Sequence, residues 1–124
     1  MDYEFKVLQE PTYLHVVGAG TYAHENLRRF LVDANKAAAA CGCDCLLLEL
    51  NFVGPSLSLA SIYSVIMERS SDGARFKRIA YVDANAQHAP EQAEFAAMAA
   101  FGLGVNVRLF QNLVEAKRWL KVSA

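Results

Sequence analysis

A chain of 124 residues with 54% apolar and 20% charged side chains is long enough for one real core and too apolar to stay disordered. Its formal charge of -1 supplies no overall field to attract nucleic acid or an acidic membrane surface. No apolar run approaches the roughly 18 residues that span a bilayer.

The opening stretch, Met1-Asp2-Tyr3-Glu4-Phe5, lacks the basic-then-apolar order of an export signal, so a cytoplasmic protein is expected. Tyr3, Phe5 and Val7 alternate and predict a first strand over Tyr3 to Leu8. Glu10-Pro11-Thr12 breaks it, and Tyr13 to Val17 resumes as a second strand. So short a break implies an antiparallel hairpin. Leu27, Phe30, Leu31, Ala34, Ala38 and Cys41 then form one helical stripe, opened at Thr21 or Tyr22 and stopped by Gly42.

Cys45 to Leu50 is almost unbroken apolar sequence, the pattern of a strand covered on both faces. Beyond the Gly54-Pro55 loop, Leu59, Ile62, Tyr63 and Ile66 predict a second helix reaching Ser70, with Asp72-Gly73 as its end. Lys77 to Asp83 reads as a buried strand. Pro90 suits the first turn of a third helix, Glu91 and Glu94 suit its positive end, and Gly102 and Gly104 close it. Val105, Val107 and Leu109 alternate as a last strand. Asn112 with Glu115 reads as a capping box, opening a helix that uses Leu113, Ala116 and Leu120.

The order ββαβαβαβα predicts one α/β domain over residues 1–124: a mostly parallel sheet with an initial antiparallel hairpin and four helices. Leu31, Leu46, Leu48, Ile66, Val82, Val107 and Trp119 are the expected core.

The closing residues Val107-Arg108-Leu109-Phe110, Asn112-Leu113, Glu115-Ala116 and Trp119-Leu120, on top of that order, resemble the STAS domains, and among them the small stand-alone SpoIIAA-like branch. The resemblance implies a STAS-like domain with a regulatory, protein-binding role rather than an enzymatic one. In an anti-sigma-factor antagonist a serine within an Asp-Ser-Ser-Gly stretch opens the helix after the buried strand. The run here is Asn51-Phe52-Val53-Gly54-Pro55-Ser56-Leu57-Ser58-Leu59, which carries Ser56 and Ser58 without that acidic residue and glycine. Both are phospho-switch candidates; Ser58 is the better placed, since the helical stripe begins at Leu59, and the missing flanking residues favour a plain helix cap.

Gly18-Ala19-Gly20-Thr21-Tyr22-Ala23 imitates a dinucleotide fingerprint, in which backbone N–H groups meet a pyrophosphate at a helix N-terminus. The preceding hairpin, the bulk of Tyr22 and the distance to Glu49 favour a simple turn. Cys41, Cys43 and Cys45 lack the paired spacing of a zinc site, and an odd count without an export signal predicts reduced thiols: no metal, no disulfide and no cofactor.

The carboxyl ends of parallel strands face the usual ligand crevice, where Asn51, Asp83 and Asn85 are expected to gather with Ser56 and Ser58. Arg75, Lys77 and Arg78, and again Lys117, Arg118 and Lys121, read as solvated surface, because no aromatic residue interleaves to stack bases. Three readings therefore stand. The first is a protein-interaction domain with an unidentified protein partner, a homodimer included. The second is a small-molecule or lipid-binding module at the strand-end face. The third is a nucleotide-dependent enzyme built on the Gly18 to Ala23 turn.

Overall fold

The computed structural model describes residues 2–121. The elements run β1 (Tyr3–Gln9), β2 (Leu14–Thr21), α1 (His24–Cys41), β3 (Cys45–Val53), α2 (Leu59–Gly73), β4 (Arg78–Asp83), α3 (Pro90–Gly102), β5 (Val107–Leu109) and α4 (Leu113–Lys121). The sheet order is β1-β2-β3-β4-β5, with β1 antiparallel to β2 and every later pair parallel. Strands that lie side by side in chain order, joined by right-handed crossovers, place all three crossover helices on one face. The main core shows this: Leu14, Val16, Leu46, Leu48 and Leu50 of the sheet pack with Leu27, Phe30 and Ala34 of α1 and with Ile62 and Val65 of α2.

The opposite face has α4 alone. A smaller cluster joins Tyr13, Leu47, Ala80 and Val82 to Ala116 and Leu120, with Trp119 packed against it. Of the expected core, Leu46, Leu48 and Val82 are buried, whereas Leu31, Ile66, Val107 and Trp119 are half-buried at the margins of the two clusters. Arg78 donates from Nη1 to the Trp119 carbonyl at 2.9 Å, and the Arg78 and Arg108 guanidiniums lie 5.6 and 6.0 Å from the Trp119 ring. The interleaving aromatics that the sequence did not suggest are therefore supplied in three dimensions, by the protein itself. They tie α4 to the sheet edge.

Residues 18–21 form part of β2, so the turn expected at Gly18 to Ala23 is largely strand. The reason is close packing. A Cβ on Gly18 would lie 2.5 Å from the Phe30 ring, and Gly20, at φ 126°, lies against the Asp2 carbonyl beside β1. The N–H of Thr21 is 3.3 Å from Asp2 Oδ1 and that of Tyr22 donates to the Val53 carbonyl at 2.7 Å, leaving neither for a phosphate. These glycines admit a phenyl ring and a neighbouring strand, which removes the structural basis of the nucleotide reading.

The cysteines also depart from expectation. Cys41 and Cys43 form a disulfide, and Cys45 is a free thiol. The expectation of three reduced thiols rested on their odd count and spacing, which take no account of the turn between α1 and β3, a strand that begins only at Cys45. Gly42 caps α1 in the left-handed region at φ 72°, and the Cys43 N–H donates back to the Ala38 carbonyl at 3.0 Å. That turn folds residue 43 beside residue 41. No described helix is long and apolar enough to cross a membrane.

Candidate functional site

Two places in this fold carry features beyond packing: the carboxyl ends of the parallel strands, and a cavity beneath the helix layer. At the strand ends, Asp83 closes β4 and faces the helix-covered side, since it pairs with Leu50 of the main core. Its Oδ2 accepts from Nδ1 of His88 at 2.9 Å, and its Oδ1 accepts from the N–H of Asn85 at 3.0 Å. His88 Nε2 lies 2.9 Å from the Gly54 carbonyl, in the loop that leads to α2. Asn85 Nδ2 donates to the Phe52 carbonyl at 3.0 Å. The His88 side chain is only 4% exposed and that of Asp83 12%, so this is a buried strap tying the two loops together.

Aromatic rings fill the remaining space. The Tyr22 ring stacks on Phe52 at 5.6 Å and meets His88 at 4.7 Å. Burial pushes the Tyr22 phenol up to about 12, and the Asp83 carboxylate adds to the shift.

Asn51 does not join this group. The two-residue period of a strand turns it to the other face, where Nδ2 donates to Glu49 Oε2 at 3.0 Å while His15 Nε2 donates to Glu49 Oε1 at 2.7 Å. Ser58 is the N-cap of α2, its Oγ accepting from the Ser61 N–H at 3.1 Å, and Ser56 is half-buried in the loop before it. Of the residues expected to gather, Asp83 and Asn85 do meet, Asn51 faces the other side, Ser58 caps α2 and Ser56 stays in the loop before it.

His88 and Ser61 were missed. The Asn85 side chain accepts from the Gln87 N–H at 2.9 Å, the mark of an Asx turn, and only that local turn was legible in the chain. Ser61 Oγ lies 3.1 Å from His24 Nδ1, across 37 residues. Chemically, Ser61 with His24 pairs a hydroxyl and a base, and His88 with Asp83 pairs a base and an orienting carboxylate. No hydrogen bond among the described residues joins the two pairs into the three-part relay that activates a serine.

The cavity lies between the sheet and α1, α2 and α3 and has a volume of about 120 Å³. Its apolar wall includes Leu27, Leu31 and Ala34 of α1, Leu46, Leu48 and Leu50 of β3, Ile62 and Ile66 of α2, and Ala96, Ala97 and Ala100 of α3. Its charged and amide lining is confined to Asn35, Arg69 and Asp72, near where α1 and the last turns of α2 meet solvent. Arg69 Nη1 donates to Asp72 at 3.1 Å and Asn35 Oδ1 accepts from Arg75 at 2.7 Å, while the buried Arg69 Nε makes no hydrogen bond and has the Glu68 carboxylate 3.5 Å away.

No family model matches the chain, and no curated protein sequence matches it significantly. Among solved structures it is similar to the crystal structure of an uncharacterised protein of the DUF3478 family, with a SpoIIAA-like fold, from Shewanella loihica PV-4. The likeness has a TM-score of 0.57 at 20% identity and covers 95% of this chain and 93% of that one. The elements, their order and this neighbour together show that the chain has the SpoIIAA-like, STAS-type α/β fold.

Proposed function

We propose that this chain is a non-enzymatic binding module that holds a small apolar molecule between its helices and its sheet. The cavity beneath α1, α2 and α3 carries the reading. Its 120 Å³ is of the same order as the roughly 150 Å³ of an apolar cavity that stays dry and takes up benzene. The small residues Ala96, Ala97 and Ala100 leave that space open.

Calorimetric titration with a series of alkylbenzenes tests it. Saturable binding is expected in the natural sequence, with at least tenfold weaker binding in Ala96→Leu, whose side chain fills the cavity, at unchanged or raised thermal stability. No binding by any member of the series would sink the reading.

A second reading, a protein-partner surface, is supported by the outside of the same helices. Leu59, Tyr63 and Met67 lie at four-residue steps on α2 and are 46%, 40% and 53% exposed. On α3, Met98 and Phe101 are 70% and 67% exposed, and Tyr63 touches Phe95 across the helix pair at 6.4 Å. Apolar surface on this scale marks interaction sites, and this one begins at Ser58. In its simplest form the partner is a second copy. Sedimentation should then show dimers in the natural sequence and monomers in Met98→Glu with Phe101→Glu. Monomers throughout would remove the homodimer form, and identical capture from cells by both proteins would remove the surface altogether.

A further inference from the structure

The segment from Cys41 to Cys45 belongs to neither reading above. It lies at the end of α1, where the chain turns into β3, and holds a disulfide and a third, free thiol within five residues. Its features do not suit a structural crosslink. The bonded cysteines are separated by 2 in sequence, so the bond closes a minimal loop and removes little entropy from the unfolded chain. The turn beneath it is also held independently. Gly42 and Cys43 donate to the Ala39 and Ala38 carbonyls at 3.3 and 3.0 Å, and Gly42 sits in the left-handed region that its missing Cβ permits. With or without the S–S bond, that turn keeps the two cysteine Cα atoms near the 5.4 Å they now have. Cys41 is exposed and Cys43 half-buried, and exposed disulfides are the labile ones.

We propose that Cys41–Cys43 is a thiol–disulfide exchange site, opened and closed by low-molecular-weight thiols of the glutathione class without unfolding of the domain. A thiolate from solution attacks the exposed Cys41 sulfur. A mixed disulfide forms there, the Cys41–Cys43 bond breaks, and its electron pair leaves on Cys43, which takes a proton from water. A second thiolate attacks the sulfur of the bound small thiol, releasing the oxidised small disulfide and leaving Cys41 as a thiolate that is then protonated. Two small thiols are oxidised to one disulfide as one protein disulfide is reduced to two thiols. Closure is the reverse, with the small disulfide as oxidant.

Cys45 is a bystander. Burial, with the neighbouring Asp44 carboxylate, pushes its thiol above the ordinary range, which keeps it protonated and a poor nucleophile.

Thiol counting by alkylation and mass spectrometry tests the site. Protein purified without reductant and alkylated in denaturant should gain one adduct, on Cys45, and three after reduction; three adducts before reduction would overturn the proposal. In native buffer, graded ratios of reduced to oxidised glutathione should move the whole population reversibly between these forms. The circular dichroism spectrum should not change, and the thermal midpoint should shift by only a few degrees. Reduction only after denaturation, or loss of fold on reduction, would mean a structural bond and would also overturn it. The Cys43→Ser variant, exposed to oxidised glutathione, should trap one glutathione on Cys41; capture on Cys45 instead would assign the chemistry to the wrong sulfur.

Discussion

His88 joins two loops that the chain keeps 34 residues apart, through the Gly54 carbonyl on one side and Asp83 on the other. Neither contact has a sequence period, so a lone histidine between Gln87 and Ala89 carries no sign of it. Removing the ring leaves the buried Asp83 carboxylate without that partner, and His88→Ala should cost about 1–3 kcal/mol in urea unfolding. A change indistinguishable from zero would mean that the strap is not formed in solution. Tyr22, packed on the same ring, gives the pH dependence. Its folded phenol titrates near about 12, above the ordinary value of about 10 for an unfolded tyrosine. Burial of the neutral phenol therefore stabilises the fold in full below the unfolded value, and this contribution is lost as pH rises through the folded one. Burial also raises Tyr3 and Tyr81, so tyrosinate absorbance should show a late rise that Tyr22→Phe lowers by one tyrosine without abolishing it. A Tyr22 step at the ordinary value would contradict the burial.

At the scale of elements, caps were legible and strand lengths were not. Pro90 opens α3, Asn112 Oδ1 accepts from the Glu115 N–H at 2.9 Å ahead of α4, and Ser58 opens α2, because each is a local device within one turn. For Ser58 the cap and the switch make different predictions. Ser58→Ala should lose about 1 kcal/mol, whereas Ser58→Asp keeps an acceptor and adds favourable charge at a helix N-terminus. Equal partner capture by the two variants would retire the switch; loss in Ser58→Asp alone would support it. The end of β2 was misread for a physical reason. Glycine in sequence signals a turn, but Gly18 is in the sheet because Phe30 occupies the place of its side chain. Gly18→Ala should therefore cost about 1–3 kcal/mol through overpacking, read from the thermal midpoint. A neutral substitution would show that the ring has room to move.

For the molecule as a whole, the decisive fact is that the sheet winds in one direction. Because β2 to β5 sit in chain order, α1, α2 and α3 crowd onto one face, and the other is left to α4. The cavity is a product of that crowding, a space left where three helices meet β3, β4 and β5. Strand alternation puts Asn51 and Asp83 on opposite faces, and the single-sided winding then makes those faces unlike, one under three helices and the other under α4.

Hydrophobic periodicity, turn residues and helix caps act over a few residues, and they alone determined the ββαβαβαβα order and the antiparallel start; the SpoIIAA-like fold came from the resemblance of the closing residues on top of that order. The tertiary structure decided what depends on contacts between distant segments. It set the one-sided winding, the His88 strap, the His24–Ser61 pair and the cavity. It also showed that Gly18 makes room for a ring rather than a phosphate. The Cys41–Cys43 bond belongs with these despite its short span: Gly42 was legible as the helix stop, but that its left-handed turn brings residue 43 back beside residue 41 was not.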